Sequence, residues 1–223
     1  MAFLSRKRIA IAAVTAVVVI GAAAGVFFWS GDNSANASTA ATQYGILKDD
    51  RTMGAPYAPV VIIEYASPAC PHCGHFNETV MPRFKKDYID TGKVLYALRV
   101  YPITSVDGAI EAVARCLPTA KYYPYLDQVF RNQPKWDPEY NIADPRPGLL
   151  AVSAKFGVNA AKFDQCVSNT EAIDRVNRVA QDGQMRYNIE SVPTFVINGE
   201  VVQLDTIDYD HFKAKVDAAL KKH

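Results

Sequence analysis

Two cysteines separated by two residues, Cys70-Pro71-His72-Cys73, directly follow an apolar, β-branched run, and no other feature constrains this chain as strongly. The run Pro59-Val60-Val61-Ile62-Ile63-Glu64-Tyr65 has the pattern of a strand covered on both faces. Turn-forming Ser67 and Pro68 come next. From Cys70 to about Tyr88, the apolar residues Phe76, Val80, Met81 and Phe84 recur at helical spacing. A second strand is predicted over Val94 to Tyr101. The CxxC therefore falls at the first strand-to-helix turn of a strand–helix–strand unit. In open α/β sheets that end of the strands is where sites form.

This placement gives the cysteines unequal chemistry. The first one meets the unpaired N–H groups and the positive dipole end of the helix, which favour a thiolate. His72 adds positive charge or a hydrogen-bond donor close by. Pro71 lacks an N–H but fits the first helical turn. Cys70 is thus the expected nucleophile, and Cys73, more buried, the resolving thiol. Zinc requires two more ligands at suitable spacing, whereas Cys116 and Cys166 are isolated and only His75 is near. Haem attachment requires His directly after the second Cys, and Gly74 stands there. A purely structural disulfide stays open as the bland alternative. No metal and no cofactor are expected.

Two further positions bear on the same site. Glu64 interrupts its apolar strand six residues before Cys70. Buried under the CxxC it would have a raised pKa and relay the proton of Cys73; at the strand end it would simply be exposed. Val192-Pro193 precedes a strand at Thr194 to Ile197. A cis bond there would present backbone to an incoming peptide, while an ordinary trans turn is the simpler alternative.

Between Asp107 and about Tyr187 the apolar period is 3.6. Ile110, Val113 and Leu117 share one face, Leu126, Val129 and Phe130 another, and Ile173, Val176 and Val179 continue the pattern. Pro118, Pro134, Pro145, Pro147 and Gly157 divide the stretch into four or five helices. This predicts a helical subdomain, about 105–188, inserted into an α/β fold. Asn198-Gly199 marks a hairpin between Thr194-Phe195-Val196-Ile197 and Val201-Val202-Gln203-Leu204. A last amphipathic helix carries Tyr209, Phe212, Val216 and Leu220 on one face.

At the N-terminus, Arg6, Lys7 and Arg8 precede an uncharged run from Ile9 to Trp29. Such a run, at about 1.5 Å per residue, spans a bilayer core with its basic flank in the cytoplasm. Its length favours an uncleaved membrane anchor over residues 1–30. Ser34-Ala35-Asn36-Ala37 keeps a cleaved signal peptide open. Both readings export the rest of the chain. Residues 31–44 read as a flexible linker and 45–223 as the domain. Setting the three basic residues aside turns the formal charge of +1 into −2, so nucleic-acid binding is not expected.

The run Glu64-Tyr65-Ala66-Ser67-Pro68-Ala69-Cys70-Pro71-His72-Cys73, with Ser191-Val192-Pro193-Thr194-Phe195 downstream, resembles the DsbA family of bacterial disulfide oxidases. The likeness covers roughly residues 45 to 222. It implies a thioredoxin-like α/β fold with an inserted helical subdomain. It also implies a monomer on the periplasmic side of the bacterial inner membrane that oxidises exported cysteine-containing proteins. A quinone-linked membrane partner similar to DsbB would reoxidise it. Carried over residue by residue, Cys70 is the nucleophile, Cys73 resolves, His72 stabilises the thiolate, Pro193 is cis after Val192, and Glu64 is the buried acid. Two features depart from the best-known members: the N-terminal anchor, and a second cysteine pair. Cys116 and Cys166 are expected to bond to each other, both from the apolar side of predicted helices. The closed loop of about 50 residues would be worth roughly 4 kcal/mol in chain entropy; two buried free thiols are the alternative. An isomerase or reductase of the same fold, and a thiol-independent holdase, are the competing functions.

Overall fold

A computed structural model describes residues 41–222. The segment expected to anchor the chain, residues 9–29, lies outside the described residues. Among the described residues, five strands form one mixed sheet: β1 (Thr52–Met53), β2 (Val60–Ala66), β3 (Val94–Val100), β4 (Thr194–Ile197) and β5 (Glu200–Val202), in the order β1-β3-β2-β4-β5. β2 and β3 run parallel with Ile62 opposite Tyr96 and Glu64 opposite Leu98, while β4 lies antiparallel to β2 with Phe195 opposite Glu64. Every residue of β2 is buried, as a β-branched run covered on both faces requires. The hairpin at Asn198-Gly199 has positive φ at both residues (48° and 83°), the geometry that the Asn-Gly pair supplies.

One face of the sheet packs Ile62, Tyr96 and Phe195 against α1 (Pro71–Thr79) and α8 (Tyr209–Leu220), where Phe76 and Phe212 meet edge to face at 5.0 Å. The other face packs Ile63, Tyr65 and Val196 against Val179 of the long helix α7 (Thr170–Tyr187). Between β3 and β4 lie five α-helices: α3 (Ser105–Cys116), α4 (Tyr122–Arg131), α5 (Arg146–Ala154), α6 (Ala160–Val167) and α7. The inserted helical subdomain is therefore present, and the fold is thioredoxin-like.

Two expectations need correction. The helix predicted from Cys70 to Tyr88 is broken: α1 ends at Thr79, α2 (Met81–Phe84) follows Val80, and Lys85–Ile89 form a π-helical turn. Pro82, which has no N–H to return to the preceding turn, accounts for the break. Cys116 is also not on the apolar side of its helix. It is the last residue of α3 and is exposed, because Ile110, Val113 and Ala114 turn inward and Leu117 leaves the helix in an extended conformation to bury itself. Cys166 is buried. The two are disulfide-bonded, with Cα atoms 5.8 Å apart, tying the end of α3 to α6.

A buried ionic cluster holds the segment ahead of β1. The Arg99 guanidinium, fully buried, donates to Asp50 at 2.7 Å, to the Gly45 carbonyl and to the Tyr65 hydroxyl. Arg175 of α7 donates to the other Asp50 oxygen at 2.7 Å and to Asp49 at 2.9 Å, and lies 3.5 Å from Glu111 of α3. Glu111 also accepts from Arg115 and from the Tyr122 hydroxyl.

Candidate active site

Cys70 caps the N-terminus of α1 in an extended conformation, with Pro71 in the first turn. Cys73 follows one turn later, fully buried, whereas Cys70 keeps 6% of its surface exposed. In this structure both are free thiols. The Cys70 Sγ donates to the Val192 carbonyl at 3.6 Å, and the Val192–Pro193 peptide bond is cis. The two thiols, both at the N-terminal end of α1, and the loop before β4 are thus brought to one point. His72 and Pro71 are exposed beside it. An open groove of about 510 Å³ is lined by His72, His75, Val192, Pro193 and Leu204 among others, and so adjoins the site through the residue whose carbonyl accepts from Cys70.

The two thiols are driven apart in acidity. Cys70 falls from 9.0 to about 6. The hydrogen bond from the Cys73 thiol is the largest cause, opposed by burial and assisted by the backbone N–H groups of Cys73 and His72; the His72 charge comes last among them. The sequence reading put the helix terminus and His72 first. The structure puts Cys73 ahead of both, because His72 points into solvent, where its charge is screened. Cys73 itself is pushed well above 9.0 by burial, by its hydrogen bond to Cys70 and by the charges of Cys70 and Glu64.

Glu64 is buried, with 2% of its surface exposed. Burial lifts its carboxyl from 4.5 to about 8, against a hydrogen bond from Tyr96 that acts to lower it. Tyr96 sits on the same face of the neighbouring strand, two residues before Leu98, and its hydroxyl donates to Glu64 Oε2. Burial and the Glu64 charge keep Tyr96 protonated.

Sequence reasoning missed three groups here: Tyr96, Asp107 and Gln133. Asp107 is fully buried and accepts from Ser67 Oγ (2.8 Å), from the Ala69 N–H, and from the N–H groups of Ile103 and Thr104 (both 2.9 Å). One carboxylate thereby fixes both the turn before Cys70 and the loop after β3. Its signal was available, since Thr104 and Asp107 form a capping box at the start of α3. Gln133 donates to the Pro68 carbonyl at 2.6 Å and the Cys70 carbonyl at 3.0 Å. Gly74 makes room for it: a Cβ there would stand 2.4 Å from Gln133 Oε1. Nothing local in sequence announces that pairing across more than sixty residues.

Residues 47–218 match the family model described as thioredoxin. The Rickettsia conorii protein named "Putative protein-disulfide oxidoreductase" is 30% identical over 179 residues, covering 78% of this chain. This chain spans only 61% of the length of that relative. The "Disulfide bond formation protein D" of Bacillus subtilis is 25% identical over 181 residues, covering 78% of this chain and 79% of its own. Among solved structures, alpha-DsbA1 of Wolbachia pipientis superposes with a TM-score of 0.69 at 26% identity, covering 79% of this chain and 94% of its own.

Proposed function

We propose, from the premise that this chain belongs to the thioredoxin family and to its DsbA-like members, that it is a thiol–disulfide oxidoreductase introducing disulfides into exported proteins. The observation that carries this reading is the opposed acidity of two neighbouring thiols, Cys70 low and Cys73 high, with Cys70 held against the Val192–Pro193 loop that lines an open groove. A substrate thiolate attacks the Sγ of Cys70 in the oxidised enzyme, and the Cys70–Cys73 bond breaks. Cys73 leaves as a thiolate and takes a proton from Glu64. A second substrate thiolate then attacks the substrate sulfur of the mixed disulfide, and Cys70 departs as a thiolate. The substrate gains one disulfide and the enzyme accepts two electrons. A low pKa makes Cys70 the better leaving group in that second step, so the chemistry runs toward oxidation of the substrate.

The remaining roles follow the same reading. His72 stabilises the Cys70 thiolate, Glu64 serves as the buried acid, and Val192 with Pro193 offers backbone to an extended peptide. A quinone-linked membrane partner similar to DsbB returns the electrons. The site works outside the cytoplasm, held at the inner membrane through residues 9–29; a soluble periplasmic form would follow signal cleavage. N-terminal sequencing of the membrane-purified protein decides between the two, a start near Ser38 excluding the anchor. The function itself is tested with Cys73→Ala in cells. Removing the resolving thiol should strand exported cysteine proteins on Cys70 as mixed disulfides that reductant releases. Absence of such adducts, with Cys70 alkylatable throughout, would overturn it.

A further inference from the structure

The groove beside the catalytic loop takes its lining from three places. α1 gives His72 and His75, the loop before β4 gives Ser191 to Pro193, and the connection from β5 to α8 gives Gln203 to Ile207. In that connection Gln203, Asp205 and Thr206 are exposed, and among the described residues their side chains have no hydrogen-bond or ion-pair partner. Asp208, three residues beyond Asp205, is engaged within the fold: it caps α8 through the His211 N–H and pairs with the His211 ring. Asp205 does neither. Among the described residues it is the one carboxylate that lines the groove, and no Lys or Arg lines it.

We propose that Asp205 is a specificity-determining residue, selecting exported proteins that carry a Lys or Arg side chain close to the reacting cysteine and rejecting acidic ones. The inference rests on the oxidoreductase reading above and narrows its substrate class. The covalent chemistry is the exchange already written. Asp205 acts on binding alone and gives up no proton or electron.

A substrate sulfur that attacks Cys70 arrives beside the Val192 carbonyl, which lies 3.6 Å from the Cys70 Sγ. Val192 also lines the groove, so an extended chain leading away from that sulfur enters it, at about 3.4 Å per residue. As the chain settles, water leaves the Asp205 carboxylate. A carboxylate stripped of water is costly unless a cation takes the place of its hydration. Lys or Arg supplies that cation on a stem long enough to search the groove. Asp or Glu adds repulsion instead, and juxtaposed like charges are a general means of excluding wrong partners. Gln203 and Thr206 are uncharged and hydrogen-bond to either class.

Two synthetic dithiol peptides test the selection, identical except that Lys or Glu flanks the first cysteine. Each is oxidised by the full-length protein, and kcat/KM is compared as the ratio of the Lys peptide to the Glu peptide. Dividing the parent's ratio by a variant's cancels the different intrinsic reactivity of the two thiols. Asp205→Asn should lower the ratio about fivefold, the size of one half-exposed ion pair. Asp205→Glu should keep it, and Asp205→Lys should invert the preference. Salt at about 0.5 M should shrink the parent's contrast toward that of Asp205→Asn. His75→Gln, altering the α1 side of the groove, should leave the ratio in place. A merely structural role for Asp205 slows or speeds both peptides together. An unchanged ratio in Asp205→Asn, no inversion in Asp205→Lys, or a ratio that follows His75 would overturn the proposal while the function stands. A parent that oxidises neither peptide and traps no substrate on Cys70 would overturn both.

Discussion

As pH rises from about 6 to 9, the protein reduced at Cys70–Cys73 is expected to gain roughly 3–4 kcal/mol on the oxidised form. The sign follows from Cys70, whose folded pKa of about 6 lies below its ordinary 9.0. A depressed acid adds stability that is fully present above the unfolded pKa and is lost as pH falls through the folded one. Only the reduced form holds that thiolate. At pH 7 it is worth about 1.4 kcal/mol, one pH unit above the folded pKa. Opposing it is the cross-link of the oxidised form, about 2 kcal/mol for so small a loop in the chain-entropy model. The two forms should therefore be nearly equal in stability near neutrality, with the oxidised form ahead in acid and the reduced form ahead in alkali. Cys73, held well above 9.0, stays a thiol throughout and begins to oppose the gain only beyond that range. Urea unfolding of both redox forms at about pH 5, 7 and 9, with Cys116–Cys166 intact, measures the gap. A gap that ignores pH, or that widens toward the oxidised form in alkali, would exclude a stabilised Cys70 thiolate.

The second large effect belongs to Glu64. Its folded pKa of about 8 lies above the ordinary 4.5, so its contribution is present below 4.5 and is lost as pH rises through 8. The cost reaches about 3 kcal/mol at pH 7, from two and a half pH units at about 1.4 kcal/mol each. Glu64→Gln removes that titration. In the oxidised protein, where Cys70 neither titrates nor adds a charge that raises Glu64, stability should fall between about pH 5 and 8 by up to about 3 kcal/mol more steeply in the parent than in the variant. The parent-minus-variant difference also cancels Asp107, whose raised pKa acts in the same direction. Part of the gain at pH 7 is offset, because a buried amide facing Tyr96 leaves an N–H group without an acceptor, at about 1–3 kcal/mol. The same variant cannot hand a proton to departing Cys73, so reduction of the enzyme by a small thiol should slow about 100-fold. Parallel pH slopes with an unchanged rate would mean that Glu64 is ionised in place and idle.

What was legible in the sequence was what local pattern dictates. The unbroken β-branched run of β2, the CxxC at its end, the Asn-Gly hairpin and the helical period of the insertion each carry their signal within about ten residues. Glu64 stood out because a carboxylate in such a strand is costly. What escaped was set by distance in the chain. Gln133 reaches Pro68 and Cys70 from a turn beyond α4, and Asp107 reaches Ser67 and Ala69 across β3. Neither residue type is rare enough to be singled out without the fold. Tyr96 read as one more aromatic on a buried strand, and only the parallel register of β2 and β3 sets it beside Glu64. The ranking of causes at Cys70 was wrong for a related reason. Sequence shows that His72 is adjacent, but not that it faces solvent while the Cys73 thiol faces inward.

The ionic cluster around Asp50 also says where this folding unit begins. Gly45 to Asp50 contribute no strand, and the first strand starts at Thr52. Yet Asp50 neutralises Arg99 and Arg175 together, Asp49 adds to Arg175, and the Gly45 carbonyl takes another guanidinium N–H. Both arginines are almost wholly buried, and a buried charge deprived of its partner costs about 3–5 kcal/mol. A polypeptide trimmed to start at β1 would strip both guanidinium groups of their short ion pairs, leaving Arg99 the Tyr65 hydroxyl and Asp182 at 3.8 Å, and Arg175 only Glu111 at 3.5 Å. That loss is of the same order as the whole stability of an ordinary domain. The minimal autonomous chain is therefore delimited by electroneutrality, several residues ahead of its first hydrogen-bonded ladder.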